Sequence, residues 1–122
     1  MTYNFKQTIT FLGTNDLIRT AEFYEKVLGL ELVRDQEVCR IYRCSTGGYL
    51  GFCSHLHIEE TSDSIIMTLV CDDVDRWFEK LDKEGIQILK EPRHNVKFGI
   101  YHFFFRDPNG YLLEIQRFDE PL

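Results

Sequence analysis

Apolar residues along this chain follow two periods that alternate in a set order. Phe5 to Gly13 reads as a strand and ends in the loop Thr14-Asn15-Asp16. Asn15 or Asp16 then caps a helix whose apolar residues Leu17, Ala21, Tyr24 and Leu28 step by four, three and four, with Gly29 as a left-handed stop. Glu31 to Val33, Glu37 to Cys44 and Tyr49 to Ser54 predict three strands, the last two joined by Ser45-Thr46-Gly47-Gly48. A polar linker runs from His55 to Asp63. The pattern then restarts, with a strand Ser64 to Cys71 and a cap at Asp72-Asp73. A helix stripe of Val74, Trp77, Phe78 and Leu81 follows, with a stop at Gly85 and a short strand Ile86 to Leu89. A loop from Glu91 to Gly99 leads into a closing hairpin, Ile100 to Phe118.

The hairpin turn is Asp107-Pro108-Asn109-Gly110. Asp bonds its own backbone two residues on, Pro presets φ, and Gly accepts the left-handed conformation of a type I turn with a following bulge. Such a turn pairs Asp107 with Tyr111, so Phe104 lies opposite Glu114 and His102 opposite Gln116. Glu114 is a lone carboxylate in the run Leu112-Leu113-Glu114-Ile115. It shares one sheet face with His102 and sits diagonally to it.

The restart is an internal repeat. Leu12 to Asp16 before a helix matches Leu69 to Asp73, and Gly29-Leu30-Glu31-Leu32 echoes Gly85-Ile86-Gln87-Ile88. Gly48-Tyr49-Leu50 echoes Gly110-Tyr111-Leu112. Each half reads βαβββ and is too short to bury both faces of its sheet. The expected fold is therefore α+β: one domain over 1–122, with modules of about 1–58 and about 62–122. The two sheets are expected to combine into a cup-shaped half-barrel with the helices outside.

Composition narrows the partners. With 43% hydrophobic residues the chain can build a core, and a net charge of −6 argues against nucleic acid or an anionic membrane surface. No apolar run approaches the roughly 20 residues of a membrane span. The opening segment from Met1 to Gln7 does not read as a signal peptide. Cys39, Cys44, Cys53 and Cys71 form no Cys-x-x-Cys pair. They read as small buried hydrophobes in a reducing cytoplasm, ahead of disulfides or a structural zinc. Cys53 alternates with Phe52 and is expected to lie under a helix. His55 and His57 sit in the linker and are set aside as metal ligands.

Asp16-Leu17, Phe23-Tyr24, Val27 to Leu30, Asp72 to Asp75, Gly85, Phe98-Gly99 and Asp107 to Gly110 through Glu114 together carry a likeness. In order and spacing they resemble the vicinal oxygen chelate superfamily of glyoxalases, extradiol dioxygenases, fosfomycin-resistance enzymes and bleomycin-resistance proteins. In its metal-dependent members four positions offer His, Gln or Glu to a divalent metal. The resemblance places three of those positions at Ile9, Ile66 and Glu114, and the internal match of Gly48-Tyr49-Leu50 to Gly110-Tyr111-Leu112 puts the remaining one at Phe52. A metal needs about three N, O or S ligands, so no metal site and no cofactor are expected, a divalent metal being the alternative.

The resemblance also implies cup-facing positions for Phe104 and His102, and repeat symmetry offers Tyr42 and Arg40 as their counterparts. The expected lining is Ile9, Phe11, Arg40, Tyr42, Phe52, Ile66, Thr68, Phe104, Leu112 and Gln116. Glu114 and His102 are the candidate catalytic pair. Against this stands a plainer reading of Glu114 as a rim carboxylate, solvated or paired to Arg40 or Arg106. Two functions follow. One is a metal-free small-molecule-binding protein of the bleomycin-resistance type, sequestering a drug or metabolite. The other is a glyoxalase-like lyase, isomerase or dioxygenase using Glu114 and His102. A cytoplasmic homodimer is expected in either case.

Overall fold

The structure, a computed structural model, describes residues 4–122. Met1 to Tyr3, part of the segment read as no signal peptide, lie outside the described residues. The chain forms two compact units, one up to Glu60 and the other Thr61–Leu122. Each carries a four-stranded mixed sheet, so the class is α+β.

In the first unit β1 (Thr8–Gly13) is followed by α1 (Leu17–Glu22) and then β2 (Glu31–Asp35), β3 (Cys39–Ser45) and β4 (Gly48–Cys53). The Asp16 carboxylate caps α1 by accepting from the Arg19 amide at 3.0 Å. A π-helical turn, Phe23–Val27, continues α1, and Gly29 ends the run at φ +71°. The sheet order is β1-β4-β3-β2, with β1 parallel to β4. One face packs on the helical segment: Tyr24 stacks on Phe52 at 4.3 Å between ring centroids, and Leu12, Tyr42 and Leu50 are buried with them.

The second unit repeats the order with β5 (Met67–Val70), α2 (Val74–Lys83), β6 (Ile88–Asn95), β7 (Ile100–Arg106) and β8 (Leu112–Phe118). Its sheet runs β5-β8-β7-β6. Asp73 occupies the N-cap position of α2, but its side chain makes no capping hydrogen bond. Val74 and Leu81 of α2 are fully buried, and Phe78 meets Phe103 edge-on at 5.6 Å. Phe105, Leu113 and Ile115 complete that core.

The segment Glu91–Gly99, expected as a loop, is mostly strand: β6 runs on to Asn95. It is an edge strand with register breaks between Ile88 and Lys90 and between Lys90 and Arg93. An edge with bulges tolerates the missing amide of Pro92, which is why a proline did not end it. The closing turn is built as its residues demand. Asp107 Oδ1 accepts from the Asn109 and Tyr111 amides at 2.9 and 2.8 Å, and Gly110 takes φ +93°.

The cysteines correct the sequence reading. Cys39 and Cys53 face each other across β3 and β4 and are joined by a disulfide, while Cys44 and Cys71 are free. Burial is the main cause that pushes both free thiols above their ordinary range, so neither is an activated nucleophile. Cys53 lies on the face away from α1, and Phe52 is the residue beneath the helix.

Candidate functional site

The Asp107–Gly110 turn sets the register of β7 and β8, pairing Phe104 with Glu114 and His102 with Gln116. The parallel partner β5 places Thr68 beside Glu114 from the other side. Glu114 therefore sits in mid-sheet on the face opposite α2, and it is buried. Thr68 Oγ1 donates to Glu114 Oε1 at 2.7 Å, and His102 Nδ1 lies 2.5 Å from Oε2. Turned with its amide nitrogen toward the carboxylate, Gln116 adds contacts of 3.1 and 3.2 Å. A buried carboxylate is tolerable only with such partners. This one has three.

The donors define what each group can do. His102 meets the Glu114 carboxylate through Nδ1, which leaves Nε2 as the second polar atom of the ring. His102 packs edge-on against Phe104 at 5.1 Å, which fixes the ring plane. Above this floor lies a cavity of about 560 Å³. Ile66, Phe98, Phe104 and Phe118 supply its apolar wall, and Lys90, Glu91 and Arg93 stand at its exposed side.

Of the residues expected in the second half, His102, Glu114, Ile66, Phe104 and Gln116 meet at this cavity, with Thr68 bonded to Glu114. Leu112 shares their sheet face but does not line the cavity. Neither arginine proposed as a partner reaches Glu114. Arg106 forks onto Asp63 at 2.7 and 2.8 Å, holding that carboxyl below its usual range, and Arg40 pairs with Asp35 at 3.7 Å. Phe98, Phe118 and the β6 side chains were missed. The period of two pointed to Phe118, two residues beyond Gln116 on the same strand face.

The first unit differs from expectation. Arg40, Tyr42 and Phe52 do not share a face with Ile9 and Phe11; Tyr42 and Phe52 are fully buried on the helix side. Phe11 pairs with Gly51 as Thr68 pairs with Glu114, so the residue matching Glu114 is Gly51, not Phe52. The turn before β4 is one residue out of step with the Asp107–Gly110 turn, and one residue turns every side chain over. The Phe11 ring lies over Gly51, where an added Cβ would stand 2.5 Å from Cδ1. The Tyr42 hydroxyl donates to Glu25 at 2.9 Å. Its ionisation is pushed far above the ordinary range by burial first, then by that bond and the Glu25 charge.

That shift makes a prediction. In the unfolded chain Tyr42 ionises near its ordinary value of about 10, while the folded protein keeps the proton. Its contribution is complete below that pH and falls as pH rises above it. Denaturant unfolding at about pH 9 and about pH 11 should show a steeper loss for the wild type than for Tyr42→Phe. Equal losses would remove Tyr42 as the cause.

The profile of the Glyoxalase/Bleomycin resistance protein/Dioxygenase superfamily matches residues 6–115, and the chain belongs to that superfamily. No curated protein sequence matches it. Solved structures share the fold. A glyoxalase/bleomycin resistance protein/dioxygenase from Nocardioides has a TM-score of 0.79 at 18% identity, over 100% of this chain and 88% of that one. Lactoylglutathione lyase from Agrobacterium tumefaciens gives 0.72 at 22% identity, covering 89% and 90%. A protein from the mobile metagenome of V. Pseudocholerae gives 0.73 at 23%, covering 98% of each.

The divalent metal used by metal-dependent relatives does not suit the residues present. With Gly51 in place of Phe52, the four positions are Ile9, Gly51, Ile66 and Glu114, which together offer one donor. That donor is already engaged by Thr68, His102 and Gln116.

Proposed function

We propose that this protein binds an organic small molecule in the cavity of its second unit, without a metal. The observation that carries the reading is the buried Glu114 with three internal donors beneath a cavity walled by aromatic residues on one side. A carboxylate so engaged organises the floor rather than reaching for a ligand. His102, held through Nδ1, lines the cavity, and the aromatic wall suits a flat or branched organic body. Lys90 and Arg93 at the exposed side, with Glu91 between them, can pair with an acidic group of the ligand and leave room for a basic one. Sequestration of a drug-like compound or metabolite in the cytoplasm, by a homodimer, completes the proposal.

A second reading rests on one specific contact. His102 held at Nδ1 by Glu114 is the arrangement of a base with its orienting carboxylate, as proton-abstracting lyases and isomerases require. A thermal-shift screen of small aromatic acids, with hits followed by mass spectrometry, separates the two. Stabilisation without conversion supports binding alone, while turnover lost in His102→Phe supports the enzyme.

Two expectations attach to the proposal. Metal content of protein purified without chelator or affinity tag should be the same for wild type and Glu114→Ala; metal lost with Glu114 would overturn metal independence. Sedimentation should show a dimer at tens of micromolar, a rough concentration at which an interface of ordinary size holds. A monomer there would count against the homodimer.

A further inference from the structure

The turn after β4 carries His55 back toward the Cys39–Cys53 pair. Its Nδ1 lies 3.8 Å from Cys39 Sγ, and the two sulfurs and a His55 ring nitrogen all fall within 4.8 Å of one another. Among the described residues this is the one group of three such side chains placed to share a cation. It lies in the first unit and uses no residue of the Glu114 cavity.

We propose that Cys39, Cys53 and His55, with the cysteines reduced, bind one thiophilic divalent cation of the zinc class, and that the disulfide closes this site. Two thiolates and an imidazole form a borderline-soft donor set that leaves a fourth tetrahedral position for water. No carboxylate belongs to the group, which disfavours magnesium and calcium. Both cysteines are buried and His55 is exposed, so the open position faces outward.

The backbone keeps the donors together without the S–S bond. Cys39 and Cys53 are register partners, the Ser54 amide donates to the Val38 carbonyl at 2.8 Å, and the Leu56 amide to the Cys53 carbonyl at 3.3 Å. A Cβ at Gly13 would stand 2.0 Å from the Leu56 carbonyl oxygen, so the turn closes tightly against β1 because a glycine is there. Opening the site consumes a thiol reductant: two electrons and two protons pass to the sulfurs as the reductant becomes a disulfide. Cation binding then displaces both thiol protons.

The test uses the full chain, reduced with a dithiol and freed of reductant under anaerobic conditions, then titrated with Zn²⁺ against a chromophoric competitor. Co²⁺ serves as the spectroscopic probe. One equivalent should bind with release of two protons, and Co²⁺ should give a thiolate charge-transfer band. Cys39→Ser and Cys53→Ser should abolish binding, while Cys44→Ser and Cys71→Ser leave it unchanged. His55→Ala should weaken it by at least about 10–100-fold, the loss typical of removing even an outer partner of a metal ligand. The disulfide form should bind nothing there. Binding that is absent from the reduced protein, persists in the disulfide form, or is indifferent to His55→Ala would overturn the proposal. Should a cysteine variant fail to fold, His55→Ala and the reduced-against-oxidised comparison of the wild type carry the test, because His55 is exposed.

Discussion

His102→Phe is expected to remove most of the affinity for a ligand found by screening, while the protein still folds. Phenylalanine fills the space beside Phe104 but takes away Nε2 and one of the three donors to Glu114. Losing a hydrogen bond to a charged or strongly polar ligand group costs about 1.5–3 kcal/mol. That corresponds to roughly 10–150-fold in Kd. Leaving Glu114 with Thr68 and Gln116 alone should cost about 1–3 kcal/mol of stability. Glu114→Gln should weaken the ligand less, because an amide oxygen can still accept from Nδ1. If Glu114 acts through His102, the double variant binds no worse than His102→Phe alone, a non-additivity that a double-mutant cycle reads directly. A stability loss well beyond that expected, in a protein that still folds and keeps its affinity, would make the pair a core feature and sink the site assignment.

The second large effect belongs to Phe52. It is fully buried and stacked on Tyr24, so Phe52→Ala should cost about 3–5 kcal/mol in a denaturant titration. Phe104 is only half-buried and lines the cavity, so Phe104→Ala should cost well below that and show its main effect in ligand affinity. The two aromatic residues were both read as cavity lining from the sequence. If Phe52→Ala were mild in stability and severe in binding, the side-chain placement in the first sheet would be wrong.

The contrast between these two residues shows which parts of the fold were legible. Strand and helix order in both units follows from periodicity and from stops at Gly29 and Gly85, because those signals are local. In the second unit even the register was readable. Asp107-Pro108-Asn109-Gly110 allows essentially one turn geometry, and that geometry sets Glu114 opposite Phe104 and diagonal to His102. In the first unit the connection Ser45-Thr46-Gly47-Gly48 has no comparable constraint. An irregularity between Arg43 and Ser45 shifts the pairing, and with a side-chain period of two the shift exchanges core for open face.

By itself, then, the sequence determined the βαβββ repeat, the superfamily likeness and the hairpin register that puts His102 beside Glu114, all consequences of short-range chemistry. Three features were decided only in the tertiary structure. The continuation of β6 through Pro92 required an edge strand with bulges. The burial of Tyr42 and Phe52 beneath α1 required the register of β3 and β4. The approach of His55 to Cys39, sixteen residues away, required both that register and the tight turn against Gly13. Each joins residues that are distant along the chain, and no local propensity specifies such contacts until the strands have paired.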